Sequence, residues 1–530
     1  MKKLFDKYIT KNNLVIFSMI LVVLYPVIEL DYLAYEFLGT IGLPRFTTIV
    51  RFLILPILAI LLFYKFETNK KRFICISLLY GFIFSIYFIL HLNNATSILE
   101  NGRYPENYYF LLSDEIIYFV TLLMPLLYTY YFKLMKLNEI ILKKVVLLSS
   151  SIISLPILIS NILLISKSTY FGLTIDNIFS WFSLPYNDTI NHPRFYAGKF
   201  FFDEGNALGV IMLVTLPFLY YFFLRSNNKK DKITIGLLTF VHSLAMIILS
   251  SRVATYGVLL IPAILIVIYI FLIIIKEEKL NKLFICFTIV LIVINACIIP
   301  FSPAYNNMKF DSINHGYIMM EETEREKADD YRKGGEELEP FTKEWVDFYA
   351  YMFETYSYMI GVTPPKYYKE WYSYKYDPKF WVDLIFDYHL YDRINGRQIQ
   401  QIWTNYKYEP LTDYQKIMGM GYSTIMRGSI VLERDFKQQI YTLGYLGFSL
   451  TMLPWIIIGV YLSIKLLLGY KQGKWNMLNI ILMMVFCFTI IVSYMSGHIM
   501  DEYSSSLLLA IFTGILLYRL SKNTNTIDNK

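Results

Sequence analysis

Charge is scarce in this chain of 530 residues: Asp, Glu, Lys and Arg make up 17% of it, against 56% for hydrophobic residues. Soluble domains carry about a quarter charged residues, so a water-soluble body built around one large core is excluded. Cysteine is also rare. Cys75, Cys286, Cys297 and Cys487 all fall inside apolar runs, where a thiol is a small apolar filler. None lies in the long polar stretch 301–437, which excludes a disulfide scaffold or a zinc site there. The six histidines are scattered (His91, His192, His242, His315, His389 and His498). There is no Gly-rich phosphate loop, no Ser-His-Asp set and no His/Cys metal spacing, and no internal repeat or low-complexity tract beyond the polar C-terminal tail. Short alternating segments are missing too, which excludes a β-barrel.

What the chain has instead is apolar runs of about twenty residues, the length that crosses roughly 30 Å of hydrocarbon. Twelve are recognisable, near 13–30, 47–64, 73–91, 115–132, 145–165, 207–224, 233–250, 253–275, 283–300, 438–464, 476–495 and 504–519. The first follows Lys2, Lys3, Lys7 and Lys11, as a signal peptide would, but no small-residue cleavage site follows it, so it reads as an uncleaved helix. Basic residues fall in alternate links: Lys65, Lys70, Lys71 and Arg72, then Lys133, Lys136, Lys143 and Lys144, and so on to Arg519 and Lys522. By the positive-inside rule this places both termini in the cytoplasm and the stretch 301–437 outside. The net charge of +7 is then an orientation signal, and no nucleic-acid partner is implied. The expected fold is all-α: a polytopic transmembrane bundle with a large extracytoplasmic helical loop domain. Its parts are an N-terminal bundle at 1–300, the loop domain at 301–437, C-terminal spans at 438–520 and a cytoplasmic tail at 521–530.

The loop domain reads as folded. Trp345, Phe348, Tyr349, Met352 and Tyr356 recur at helical spacing. Asp377 is placed to cap a helix that opens at Pro378 and closes near Gly396. Before them, "EETEREKADDYRKGG" reads as a charged helix with Glu321 and Arg325 four apart. Trp371, Trp381 and Trp403 are glycan-contact candidates, since their amphipathic rings suit sugars. The same rings serve packing and headgroup anchoring equally well.

Ionisable groups beside spans are costly and mark function by default, although long cations at helix ends also simply snorkel to the interface. Three clusters face outward in this topology: Arg194, Lys199, Asp203 and Glu204 before the sixth span; Arg252 in the tight turn "LSSRVATYG"; and Arg427, Glu433, Arg434 and Asp435 before the tenth. Guanidinium forks bind diphosphate, and a nearby carboxylate can take a proton from a hydroxyl. His242, in mid-span, reads as a packed polar residue.

At these residues the chain resembles the O-antigen ligase and O-antigen polymerase superfamily of bacterial envelope enzymes. The likeness rests on "RFYAGKFFFDEGNALG" before a span, "SSR" between two spans, and "GMGYS" with "ERDFKQQIYTLGYLG" closing the large loop. It implies a C-type glycosyltransferase-like fold in the bacterial cytoplasmic membrane and undecaprenyl-diphosphate-linked oligosaccharide as substrate. It implies no metal and no cofactor, with a flippase and a chain-length regulator as candidate partners. The family's ligases carry a His, a polar residue, nine more, a Gly, two more and a second Gly. Gly444 and Gly447 match the glycines, and Glu433 stands where that His would be. Arg194 and Arg252 match the two arginines that grip the donor diphosphate. The expected activity is polymerisation of lipid-linked repeat units, with Glu433 as base, Asp435 as its alternate and Arg427 orienting. The alternatives are a ligase that moves finished glycan to another acceptor and, from a different class, a lipid-linked glycan flippase or exporter.

Overall fold

The computed structural model describes residues 10–101, 110–169, 172–182, 196–306, 328–360, 367–393, 396–425 and 432–521, with Glu326 and Pro365. Among the described residues, 12 helices are long and apolar enough to cross a bilayer. They are α1 (Lys11–Thr40), α2 (Phe46–Phe66), α3 (Lys70–Ile98), α4 (Leu112–Met135), α5 (Glu139–Ile162), α6 (Gly205–Arg225), α7 (Lys229–Leu249), α8 (Arg252–Ile274), α9 (Lys282–Phe301), α14 (Asp435–Leu468), α15 (Met477–Met495) and α16 (Tyr503–Ser521). Between α9 and α14 lie α10 (Lys343–Tyr356), α11 (Pro378–Phe386), α12 (Gly396–Tyr408) and α13 (Asp413–Met418). Each of the twelve apolar runs coincides with one long helix, and no strand occurs among the described residues beyond three isolated bridges. The protein is a polytopic helical membrane protein.

The chain divides into two compact units. The first comprises Met1–Ile74, Thr121–Phe310 and Pro454–Lys530, and the second Cys75–Val120 and Asp311–Leu453.

In the first unit α6 is the central helix, buried along its whole apolar window. Lipid tails are as apolar as leucine, so such helices associate by close packing over small residues. Gly209 faces Ser251, Gly257 faces Leu213, and Gly514 lies against the backbone of Thr129 and Lys133, each too close for a Cβ. Phe218 of α6 stacks on Phe512 of α16 at 4.6 Å. His242 is a satisfied core histidine, bonded to Ser154 Oγ at 2.7 Å and to the Met212 carbonyl at 3.0 Å. The reversal between α7 and α8 takes two residues. Ser250 adopts φ +58°, and the Ser251 hydroxyl caps α8 by accepting from Ala254 N–H at 3.3 Å.

The second unit has its own aromatic core of Trp345, Tyr349, Met352, Phe353, Tyr372, Trp381 and Trp403. Thr342 caps α10, and Asp377 caps α11 with Pro378 in the first turn, the latter as the sequence suggests. The end of that second helix needs correction. α11 stops at Phe386, and Gly396 does not close it but opens α12, a helix not expected from the sequence. Of the charged helix expected over "EETEREKADDYRKGG", Glu321 and Arg325 fall outside the described residues, while 328–336 is helical and continues through Gly334 and Gly335; His192 and His315 also fall outside.

Candidate functional site

The second unit is organised around a break in α14. At Gly444 the backbone turns to φ +69°, ψ 176°, a region that only glycine occupies readily. Beside the break, the carbonyls of Tyr441 and Thr442 accept from the amides of Met420 and Gly421, each at 2.9 Å. This crossing is too close for side chains. A Cβ on Gly444 would stand 2.2 Å from the Ile417 carbonyl oxygen, and one on Gly419 would stand 2.3 Å from Gly444 N. Tyr87 completes the joint by donating its hydroxyl to the Leu443 carbonyl at 2.6 Å, and that hydroxyl occupies the place of a Gly447 Cβ. The paired glycines of the motif therefore let two chain segments cross and break the helix nine residues after it starts.

The segment "GMGYS" that fills the break is held by polar groups of α3 and α4. Asn94 donates to the carbonyls of Gly419 at 2.7 Å and Gln415 at 3.3 Å. His91 Nδ1 lies 2.7 Å from the Met418 carbonyl, which can only accept, so Nδ1 carries a proton. Its Nε2 lies 3.4 Å from Glu115 Oε2, and both side chains are fully buried. Glu115 Oε1 in turn accepts from the N–H and the hydroxyl of Ser423, each at 2.9 Å.

On the other side of the break, α14 starts beside Glu433. The Glu433 carboxylate accepts from Arg397 Nε at 2.9 Å, and its backbone N–H donates to Gln400 Oε1 at 3.1 Å. The two charged side chains are 36% and 35% exposed, so this carboxylate is fixed in place yet open to solutes. Burial, with the negative charge of Glu433 nearby, raises the Tyr367 phenol above its ordinary value. Asp435, the first residue of α14, is buried. A positioned, accessible carboxylate at a helix start can accept a proton from a hydroxyl.

The first unit carries a separate charged cluster. Arg51, in α2, lies 3.8 Å from Glu502 and sits over the Tyr503 ring at 4.6 Å. Its backbone carbonyl accepts from the Tyr128 hydroxyl at 3.1 Å. Burial holds the Glu502 carboxyl above its ordinary range. Arg51 opposes this, Asp501 and Glu204 add to it, and His498 opposes again. Burial lowers Lys199, against the pull of Glu204 and Asp203. Arg252 is the first residue of α8 and is exposed. Among the described residues no group of three or more His, Cys, Asp or Glu could hold a metal ion.

A family model described as "O-antigen ligase like membrane protein" matches residues 10–523. The chain belongs to that family. No curated protein and no solved structure matches it. Membership in the O-antigen-ligase-like family supports a glycan-transferring function in the membrane, of glycosyltransferase type, with lipid-linked glycan as substrate.

For a member of this family the expected site residues fare differently. Glu433 and Asp435 lie together at the start of α14, and Arg252 lies in the first unit. Arg194 and Arg427 fall outside the described residues, as does the side chain of Trp371. Trp381 and Trp403 are each 1% exposed. Trp381 Nε1 donates to the Tyr372 carbonyl at 2.8 Å, and Lys407 sits over Trp403 at 3.8 Å. These two rings pack the core here and offer no open face to a sugar.

Two sets of residues escaped the sequence reading. Arg51, in "IVRFLIL", is a charge inside an apolar run, a signal that was available. Arg397 and Gln400 escaped because α12 was not recognised, although Ile399, Ile402, Trp403 and Tyr406 recur at helical spacing within it.

Proposed function

We propose that this O-antigen-ligase-like protein polymerises undecaprenyl-diphosphate-linked oligosaccharide repeat units into a surface polysaccharide at the outer face of the cytoplasmic membrane. The observation that carries this reading is the Glu433 carboxylate, accessible and held by Arg397 at the start of α14. In the proposed step Glu433 takes the proton from a hydroxyl of the acceptor sugar. The freed oxygen bonds to the anomeric carbon of the donor as the bond from that carbon to the diphosphate breaks. The electron pair leaves on the diphosphate, whose charge Arg194, Arg252 and Arg427 neutralise as electrostatic stabilisers. With one base and no covalent intermediate, the displacement inverts the anomeric centre. Asp435 is the alternate base.

A ligase reading is supported by the family's own description. Glu433 at the position of the ligases' histidine favours polymerisation over it. The flippase reading expects charges spread through the spans and pseudo-repeated halves, and the sequence has neither.

The test is to make Glu433→Gln, Arg252→Ala and Arg194→Ala in the producing strain and examine its lipid-linked glycans. Polymerisation predicts surface-exposed carriers bearing a single unit. Full-length lipid-linked polymer that is never transferred would indicate a ligase, and carriers trapped on the cytoplasmic side a flippase. Unchanged long surface polymer in all three variants would refute the assigned residues.

A further inference from the structure

The helix α12 meets the start of α14 through a few side-chain contacts. Arg397 and Gln400 meet Glu433; one turn further on, Gln401 Nε2 donates to the Tyr441 hydroxyl at 2.7 Å and to Asn405 Oδ1 at 2.8 Å. In sequence, Gln438 falls between Glu433 and Tyr441, and it shares a helix face with Tyr441 three residues on. Gln438 is 1% exposed, yet neither Nε2 nor Oε1 has a hydrogen-bond partner among the described residues. The Oε1 of Gln401, itself 7% exposed, has none either. Buried polar groups are almost always paired, so a run of unmet amide atoms beside an accessible carboxylate calls for a partner.

The chemistry of the unmet atoms narrows that partner. A primary amide offers two donors and an acceptor, which a hydroxyl or an acetamido group answers in both senses. A phosphate only accepts, and the carboxylates of Glu433 and Asp435 repel it. A cation only donates, and Arg397 and Arg434 repel it. The matching class is a neutral sugar.

We propose that Gln438 and Gln401 form a subsite, next to Glu433, that reads hydroxyl or acetamido groups of the acceptor sugar. This rests on the proposed function, in which Glu433 deprotonates a hydroxyl of that same sugar. The three helical residues from Asp435 to Gln438 rise about 4.5 Å, so a ring whose reacting hydroxyl lies at Glu433 brings its neighbouring substituents to the amides. The neighbouring Arg397–Glu433 pair is about one-third exposed. Gln438 and Gln401 are then specificity-determining residues, while Glu433 is the catalytic one.

The experiment uses the full-length protein in lipid nanodiscs with lipid-linked donor and a series of acceptors, each lacking one hydroxyl or acetamido group. For Gln438→Leu and Gln401→Leu we expect the KM for the complete acceptor to rise tenfold or more with the donor KM unchanged; the thermal midpoint should hold for Gln438→Leu and fall for Gln401→Leu, which also loses its bonds to Tyr441 and Asn405. One deoxy acceptor should erase the difference between wild type and Gln438→Leu. An unchanged acceptor KM in both variants, or a lowered midpoint with the KM unchanged, overturns the subsite and leaves the amides to ordered water. If Gln438→Leu does not fold, the wild-type deoxy series decides against Gln401→Leu in the same way. Failure of the wild type to transfer glycan at all would instead refute the proposed function.

Discussion

Replacing Gly444 with alanine tests whether the helix break is built into the chain. Two costs add. The backbone at φ +69°, ψ 176° is strained for any residue with a Cβ, by about 1–3 kcal/mol. The Cβ would also sit 2.2 Å from the Ile417 carbonyl oxygen and 2.4 Å from Gly419 N. Those are backbone atoms that cannot rotate aside, and such overpacking costs about 1–3 kcal/mol. The sum is about 2–6 kcal/mol, before any loss of the two hydrogen bonds from Met420 and Gly421 to the break. The control is Gly81→Ala in α3. That glycine is helical and meets nothing within 4 Å, so alanine should stabilise it by about 0.5–1 kcal/mol. Thermal unfolding of the detergent-solubilised protein, followed by tryptophan fluorescence, reports on this unit through its buried Trp345, Trp381 and Trp403. Gly444→Ala should melt well below wild type and Gly81→Ala at or above it. A Gly444→Ala protein that melts with wild type would refute the reading of the motif glycines as a structural crossing.

Other outcomes follow from the same geometry. Ser423→Ala removes a hydroxyl donor to the buried Glu115 and should lower the midpoint by the equivalent of about 1–3 kcal/mol, seen in the same melting experiment. Arg397→Ala breaks a part-exposed ion pair that contributes at most about 1 kcal/mol. It should therefore leave melting near wild type while reducing glycan transfer, and a large loss of stability with full activity would contradict its positioning role. The Glu502 carboxyl, raised by burial, makes the native state bind more protons than the unfolded chain once pH passes the ordinary glutamate value. Stability from this group is thus complete at acidic pH and falls as pH rises through the raised value. Glu502→Gln should melt with a flatter dependence from mildly acidic to neutral pH, and an equal slope in both proteins would rule this out.

The spans were legible because each needs about twenty apolar residues regardless of what packs around it. The helix start at Asp377 was legible for a similar reason: the cap is local chemistry. The site was only half legible. Glu433, Gly444 and Gly447 stand out by their resemblance to the family's motif, but what the glycines do depends on Ile417, Gly419 and Tyr87, which are remote in sequence and meet only in the fold. Arg397 was missed because Gly396 was read as the close of the preceding helix, although it opens α12. For the aromatic residues the sequence left sugar contact and packing both open, and Trp381 and Trp403 have the burial of a core. Composition alone does not separate those two uses of a ring.

The most direct test of the central claim is glycan transfer by the purified protein with lipid-linked donor and acceptor, wild type against Glu433→Gln. The proposed function predicts that the variant folds and melts like wild type, because the ion pair it weakens is part-exposed, yet transfers little or no glycan. Transfer at the wild-type rate by a correctly folded Glu433→Gln protein would contradict it.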